Sequence, residues 1–189
     1  MIAGADLARV LEARGALLEG HFRLSSGRHS DRFVQKFRIL ERPDLLEPVA
    51  RAIANRFAAE SPSIVVSPAV GAILLGYEVA RALGTAAVFV ERENGAATLR
   101  RGFRIERSDR ALVVEDVITT GGSVREVIGV VRSRGASLAG VGAIVRRGEF
   151  DLDVPVYALL DLPLRSYDEA SCPMCAAGVP IADPGSRRV

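Results

Sequence analysis

Lysine is almost absent from this chain. Of its 25 basic residues only Lys36 is a lysine, so chemistry that needs a deprotonatable amine has one candidate, whereas anion clamping by guanidinium groups has many. Compositional drift is the plainer explanation of the arginine preference, which by itself assigns nothing. Histidine is scarce too, with only His21 and His29, and the two cysteines fall together in Cys172-Pro173-Met174-Cys175. A zinc site needs two ligands beyond such a pair. Both histidines lie far away in sequence, which argues against a closed site within one chain. The pair sits in a Pro- and Gly-rich tail rather than after a strand at a helix start, which argues against a thioredoxin-like role. The expectation is a structural turn without metal or redox function, the main alternative being a metal shared across a dimer. No apolar run reaches the roughly 18 residues of a membrane span, and Asp6 and Arg9 interrupt the N-terminal apolar pattern where a signal peptide would have its core. A cytoplasmic protein is the default expectation. The net charge of +2 is too mild to point to nucleic acid.

What the chain does have is the composition of one soluble core: 189 residues, 49% of them hydrophobic and 25% charged. Short apolar runs at Ile64 to Ser67, Ala86 to Val90, Ala111 to Glu115, Gly140 to Val145 and Val156 to Leu160 predict five strands. Their near-continuous apolar character predicts burial on both faces, as in a mostly parallel sheet. Helices are expected over Leu45 to Ala59, with Val49, Ile53 and Phe57 on one face, over Gly71 to Leu83 and over Ser123 to Arg134. The alternation predicts an α/β fold with helices flanking the sheet. Residues 1–40 do not fit it and read as a small N-terminal hood, residues 41–165 as the core and 166–189 as a tail. Residues 91–110 are long for a connection and read as a mobile functional loop or a hairpin.

The chemistry concentrates after the third predicted strand. Ala111 to Val114 deliver two adjacent carboxylates, Glu115 and Asp116, to the C-terminal edge of the sheet, where open α/β folds bind ligands. Val117 and Ile118 lead into Thr119-Thr120-Gly121-Gly122-Ser123, which offers three hydroxyls and two bare backbones at the start of a helix. Free N–H groups and the helix dipole favour a phosphate there. Vicinal carboxylates accept hydrogen bonds from vicinal hydroxyls such as those of ribose. One loop therefore suits both ends of a ribose 5-phosphate. A plainer reading, acids capping the helix and an ordinary glycine turn, does not explain why all these features occur in this order. A Walker A loop is excluded, since no Gly-Lys-Ser/Thr follows.

This stretch resembles the phosphoribosyl pyrophosphate (PRPP) signature of the type I phosphoribosyltransferases. Through Leu24 to Gln35, through Ser67-Pro68-Ala69-Val70-Gly71 and through Val145-Arg146-Arg147-Gly148, the chain as a whole looks like the orotate-specific branch of that family. The resemblance implies the type I phosphoribosyltransferase fold and transfer of phosphoribose from PRPP to orotate, with Mg2+ held mainly by PRPP oxygens. It places Pro68, Ala69, Val70 and Gly71 at the pyrophosphate, and Phe33, Thr119 and Arg147 at orotate. It makes residues 91–110 a catalytic loop shared across a homodimer, with Arg92, Arg100 and Arg101 neutralising the leaving pyrophosphate. The loop departs from the family pattern in lacking lysine and histidine, and Ser25 stands where many members have lysine. Phe33 as hood packing and the arginines as a solvated surface are the plainer readings. A phosphoribosyltransferase for a purine and a PRPP-sensing regulator without turnover are the alternative functions.

Overall fold

The computed structural model describes residues 4–24, 27–162 and 165–183. Ser25 and Ser26 of the Leu24 to Gln35 segment and the end of the tail lie outside the described residues. The core is a six-stranded sheet in the order β5-β4-β3-β6-β7-β8. Five of these strands match the expected ones and run parallel: β3 (Ile64–Pro68), β4 (Ala86–Glu93), β6 (Arg110–Ile118), β7 (Ser137–Arg146) and β8 (Val156–Asp161). The sixth, β5 (Ala96–Leu99), corrects the expected count of five. It pairs antiparallel with the end of β4, so the start of the 91–110 segment is a hairpin. Its turn is Asn94-Gly95, both residues at positive φ (51° and 81°) as a tight type I′ connection requires.

The apolar runs are continuous because the sheet is covered on both sides. Val65, Leu112 and Val114 pack in one core cluster with Val49, Ile53 and Phe57 of α3 (Pro43–Phe57) and Leu75 and Val79 of α4 (Ile73–Leu83). Their neighbours Ile64, Val66, Ala111 and Val113 face the opposite cluster, with Val124, Val127, Ile128 and Val131 of α5 (Gly122–Ser133). Each of these buried Val, Leu, Ile and Phe side chains contributes about 1.5–3 kcal/mol through removal from water. The helix expected from Gly71 starts at Ile73, because the preceding residues form a turn at the sheet edge. Since β4 lies on one side of β3 and β6 on the other, the chain reverses its direction of winding between β3 and β6. Ligands of open α/β sheets bind in the crevice at such a reversal.

The N-terminal region is a small layer packed on this core, with Leu7, Leu11, Val34 and Ile39 in the same cluster as Val49 and Leu75. It comprises α1 (Gly4–Ala13), the antiparallel pair β1 (Leu17–Arg23) and β2 (His29–Val34), and one turn of helix, α2 (Phe37–Leu40). The tail closes onto it: Tyr167 pairs with His29, and Ala182 with Phe22. Among the described residues no helix is long and apolar enough to cross a membrane.

Candidate active site

Four loops meet at the C-terminal edge of the sheet. Gly71, in the turn after β3, lies so close to the end of β6 that a Cβ there would sit 2.3 Å from Asp116 Oδ2. Only a residue without a side chain permits this approach. The Ala69 N–H donates to Val90 O at 2.8 Å, tying the same turn to the base of the β4–β5 hairpin. On the other side the Arg147 N–H, just past β7, donates to Ile118 O at 2.9 Å, and a Cβ at Gly148 would stand 3.0 Å from Thr119 O. Pro68, Ala69, Val70, Gly71, Glu115, Asp116, Val117, Ile118, Thr119 and Arg147 are thus parts of one locus.

Both carboxylates are buried, Asp116 to 1% exposure. Asp116 Oδ2 lies 2.6 Å from Lys36 Nζ, an ion pair reaching from the hood across the top of the sheet. Lys36 is the residue that sequence reasoning missed, although its being the sole lysine was a signal. Glu115 is pushed up to about 8, chiefly by burial and then by the neighbouring Asp116 charge, against the opposing effects of the Asp116 N–H and of Lys36. The Asp116 N–H donates to Glu115 Oε1 at 3.0 Å. The pair therefore combines an acid that keeps its proton at neutral pH with one held beside a cation.

Gly121 ends the following loop in the left-handed region at φ 76°, and α5 begins at Gly122 with no side chain capping its first turn. Thr119, Thr120, Gly122 and Ser123 are exposed around these N–H groups, which leaves an open helix start of the kind that suits an anion. Arg125 braces the loop from behind, donating from Nη1 to Thr120 O at 2.7 Å and from Nη2 to Asp151 O at 3.0 Å. Arg147 is partly buried, its pKa lowered by that burial, and no acidic side chain among the described residues pairs with it. It lines an open cavity of about 370 Å³ together with Arg146, Gly148, Glu149, Phe150 and Asp161.

The remaining expected residues have partners of their own. Arg92 pairs with Glu126 of α5, Arg100 with Glu93 at 3.3 Å and Arg101 with Glu91 at 2.8 Å. All three guanidinium groups are occupied by acids of the hairpin or of α5. Phe33, on β2, packs against Phe22 with ring centroids 5.8 Å apart, which is the hood-packing environment of the plainer reading. The separation argument against a metal site is overturned as geometry: His21, His29, Cys172 and Cys175 lie together within a single chain.

A mostly parallel sheet with its winding reversal at an acid pair and an uncapped helix start makes this an open α/β protein whose ligand crevice suits a phosphorylated sugar. Residues 37–159 match the phosphoribosyl transferase domain, and the chain belongs to that family. It is 51% identical over 186 residues to the orotate phosphoribosyltransferase of Pelotomaculum thermopropionicum, covering 97% of this chain and 98% of that one. It is 46% identical over 186 residues to the enzyme of the same name from Desulforamulus reducens, covering 97% of each. Among solved structures, the orotate phosphoribosyltransferase of Aeropyrum pernix matches with a TM-score of 0.71 at 27% identity, over 82% of this chain and 93% of that one.

Proposed function

We infer that this protein is an orotate phosphoribosyltransferase. It joins PRPP to orotate and gives orotidine 5′-phosphate and pyrophosphate, a step of UMP synthesis. The observation that carries the reading is the buried Glu115–Asp116 pair running directly into the uncapped start of α5, at the winding reversal of the sheet. Asp116 accepts from one ribose hydroxyl, and Glu115, protonated at neutral pH, donates to or accepts from the other. Thr119 to Ser123 receive the 5′-phosphate, and Pro68 to Gly71 face the pyrophosphate. Orotate brings a carboxylate, and Arg147 is a partly buried cation without a counterion among the described residues, suited to receive it.

In the reaction the bond between the anomeric carbon and the pyrophosphate oxygen breaks, the pyrophosphate leaving with the electron pair. A bond to the ring nitrogen of orotate forms. Positive charge develops on the ribose ring, as at glycosidic centres, and orotate entering with that ring nitrogen already deprotonated, its proton left in solvent, needs no general base. The donor set fits a Mg2+ ion carried by the substrate: Asp116 is engaged by Lys36 and Glu115 holds its proton, so no carboxylate cage stands ready at the site. When bound, that ion would offset the charge of the departing pyrophosphate. Arg92, Arg100 and Arg101 serve the same end after exchanging their acidic partners for the phosphates. The chain works as a homodimer. Val70, Leu74 and Tyr77, beside the pyrophosphate turn and along α4, are exposed to 77%, 52% and 64% and offer an apolar contact surface.

Pyrophosphate release on mixing the protein with Mg2+, PRPP and each of orotate, adenine, xanthine and uracil tests the reading. Release with orotate alone is expected. Release only with a purine would replace orotate as the substrate, and PRPP binding without release with any base would make the protein a PRPP sensor.

A further inference from the structure

We propose that His21, His29, Cys172 and Cys175 form a closed structural zinc site that fastens the C-terminal tail to the hood. His21 is on β1, His29 on β2, Cys172 immediately precedes the helical turn α6 (Pro173–Ala176) and Cys175 lies within it. One ligand atom from each of the four lies within 4.8 Å of the others. His21 Nε2 is 3.0 Å from His29 Nδ1, 3.5 Å from Cys172 Sγ and 3.6 Å from Cys175 Sγ, and Cys175 Sγ is 3.2 Å from His29 Nδ1. A tetrahedral ion bound at ordinary Zn–N and Zn–S lengths has ligand-to-ligand edges of about 3.3–3.8 Å. The cluster has the size of that shell.

The surroundings are those of a built site. His21 is 2% exposed, His29 0% and Cys172 2%. His21 Nδ1 lies 2.8 Å from Val179 O, a partner that can only accept, so Nδ1 carries the proton and the lone pair of Nε2 points into the cluster. Metal-bound histidines are oriented in this way by an outer acceptor. Two sulfurs and two ring nitrogens converge on one buried pocket, the set of soft and borderline donors that a transition-metal cation takes. Two sulfurs and two nitrogens in tetrahedral disposition select zinc, and four protein ligands leave no position open for chemistry. Backbone pairing brackets the cluster. Tyr167 and His29 exchange N–H···O bonds at 2.8 Å, and the Ala182 N–H donates to His21 O at 2.7 Å. The ion would thus clamp the tail to the same small layer that sends Lys36 to Asp116.

The chain contains only two cysteines and two histidines, which makes the test unusually clean. The full-length protein should carry close to one zinc per chain by elemental analysis. With Co2+ in place of zinc, it should show the tetrahedral visible bands and a thiolate-to-cobalt charge-transfer band, which only Cys172 and Cys175 can supply. The double variant Cys172→Ser, Cys175→Ser should lose the metal, and its tail should be cut faster by protease. If the variant does not fold, the cobalt spectrum of the parent protein decides alone. A parent protein that takes up neither zinc nor cobalt, or binds cobalt without thiolate charge transfer, overturns the proposal. So does a folded double variant that retains its zinc. Two cysteines found joined as a disulfide in metal-free, fully folded protein would overturn it as well.

Discussion

Glu115 keeps its proton to about pH 8 because it is buried beside Asp116. Its folded value lies above the ordinary 4.5, so between the two the folded state binds more protons than the unfolded one. Stability from this group is complete below about pH 4.5, is lost as the pH rises towards 8, and changes no further beyond that. Glu115→Gln should remove that component. Denaturant midpoints of the parent should fall from acid to pH 8 more steeply than those of the variant, and equal slopes would show that Glu115 is not the titrating group. Asp116 is instead held by its ion pair with Lys36. Lys36→Met leaves a nearly inaccessible carboxylate without its cation and should cost about 3 kcal/mol, the low end for broken buried pairs because Lys36 is itself one-third exposed. It should also lower turnover, as Asp116 is then free to leave its place. A variant with unchanged melting and unchanged kcat would remove Lys36 from the site. Asp116→Asn, by the same burial, is expected to affect folding as well as turnover, so its activity is interpretable only beside a melt.

At the scale of elements, the start of α5 and the β4–β5 hairpin are the parts whose roles are most separable. Gly121 is a poor probe of the phosphate cradle. At φ 76° any side chain is strained, and its Cβ would point at Arg125 and Phe150. Gly122 has ordinary helical geometry with nothing nearer a Cβ than Thr120 Oγ1 at 3.7 Å. Gly122→Val should therefore leave the melt within about 1 kcal/mol of the parent, the helix propensities of the two residues being similar. PRPP affinity in calorimetric titration should fall by at least about tenfold, since the added side chain crowds the helix start. Retained affinity would move the phosphate elsewhere. The five parallel strands were legible because each is a nearly unbroken apolar run. β5 was not, because Ala96–Leu99 is a four-residue edge strand with no buried position. The length of residues 91–110 left a hairpin as one of two readings, and the pairing of β4 with β5 bears that one out. Glu115, Asp116 and the Thr119 to Ser123 loop were legible because strand, acids and helix start are contiguous. Lys36 and the histidine–cysteine cluster were not, because each is assembled by the hood folding back over distant chain, with 151 residues separating His21 from Cys172.

Across the whole molecule, the arrangement of the arginines decides whether one chain suffices. Arg100 and Arg101 are held at the surface by Glu93 and Glu91. Exposed pairs of this kind are worth at most about 1 kcal/mol each, so exchanging a carboxylate for a pyrophosphate is inexpensive and Arg100→Ala, Arg101→Ala should fold normally. Its turnover should drop by about a hundredfold or more if the two cations stabilise departing charge. If the hairpin serves the neighbouring subunit's site, this variant and Asp116→Asn, each inactive alone, complement each other after subunit exchange. Random 1:1 mixing makes half of the dimers hybrid, and one of the two sites in each hybrid joins an intact cradle to an intact hairpin. About a quarter of the parent activity per chain should then return. Leu74→Glu, Tyr77→Glu supplies the control. It charges the exposed face of α4 without touching the cradle, and if that face is the dimer contact it should give monomers by sedimentation that cannot be complemented. Exchange confirmed by mass with no recovered activity would place the hairpin arginines in the site of their own chain, or outside catalysis altogether.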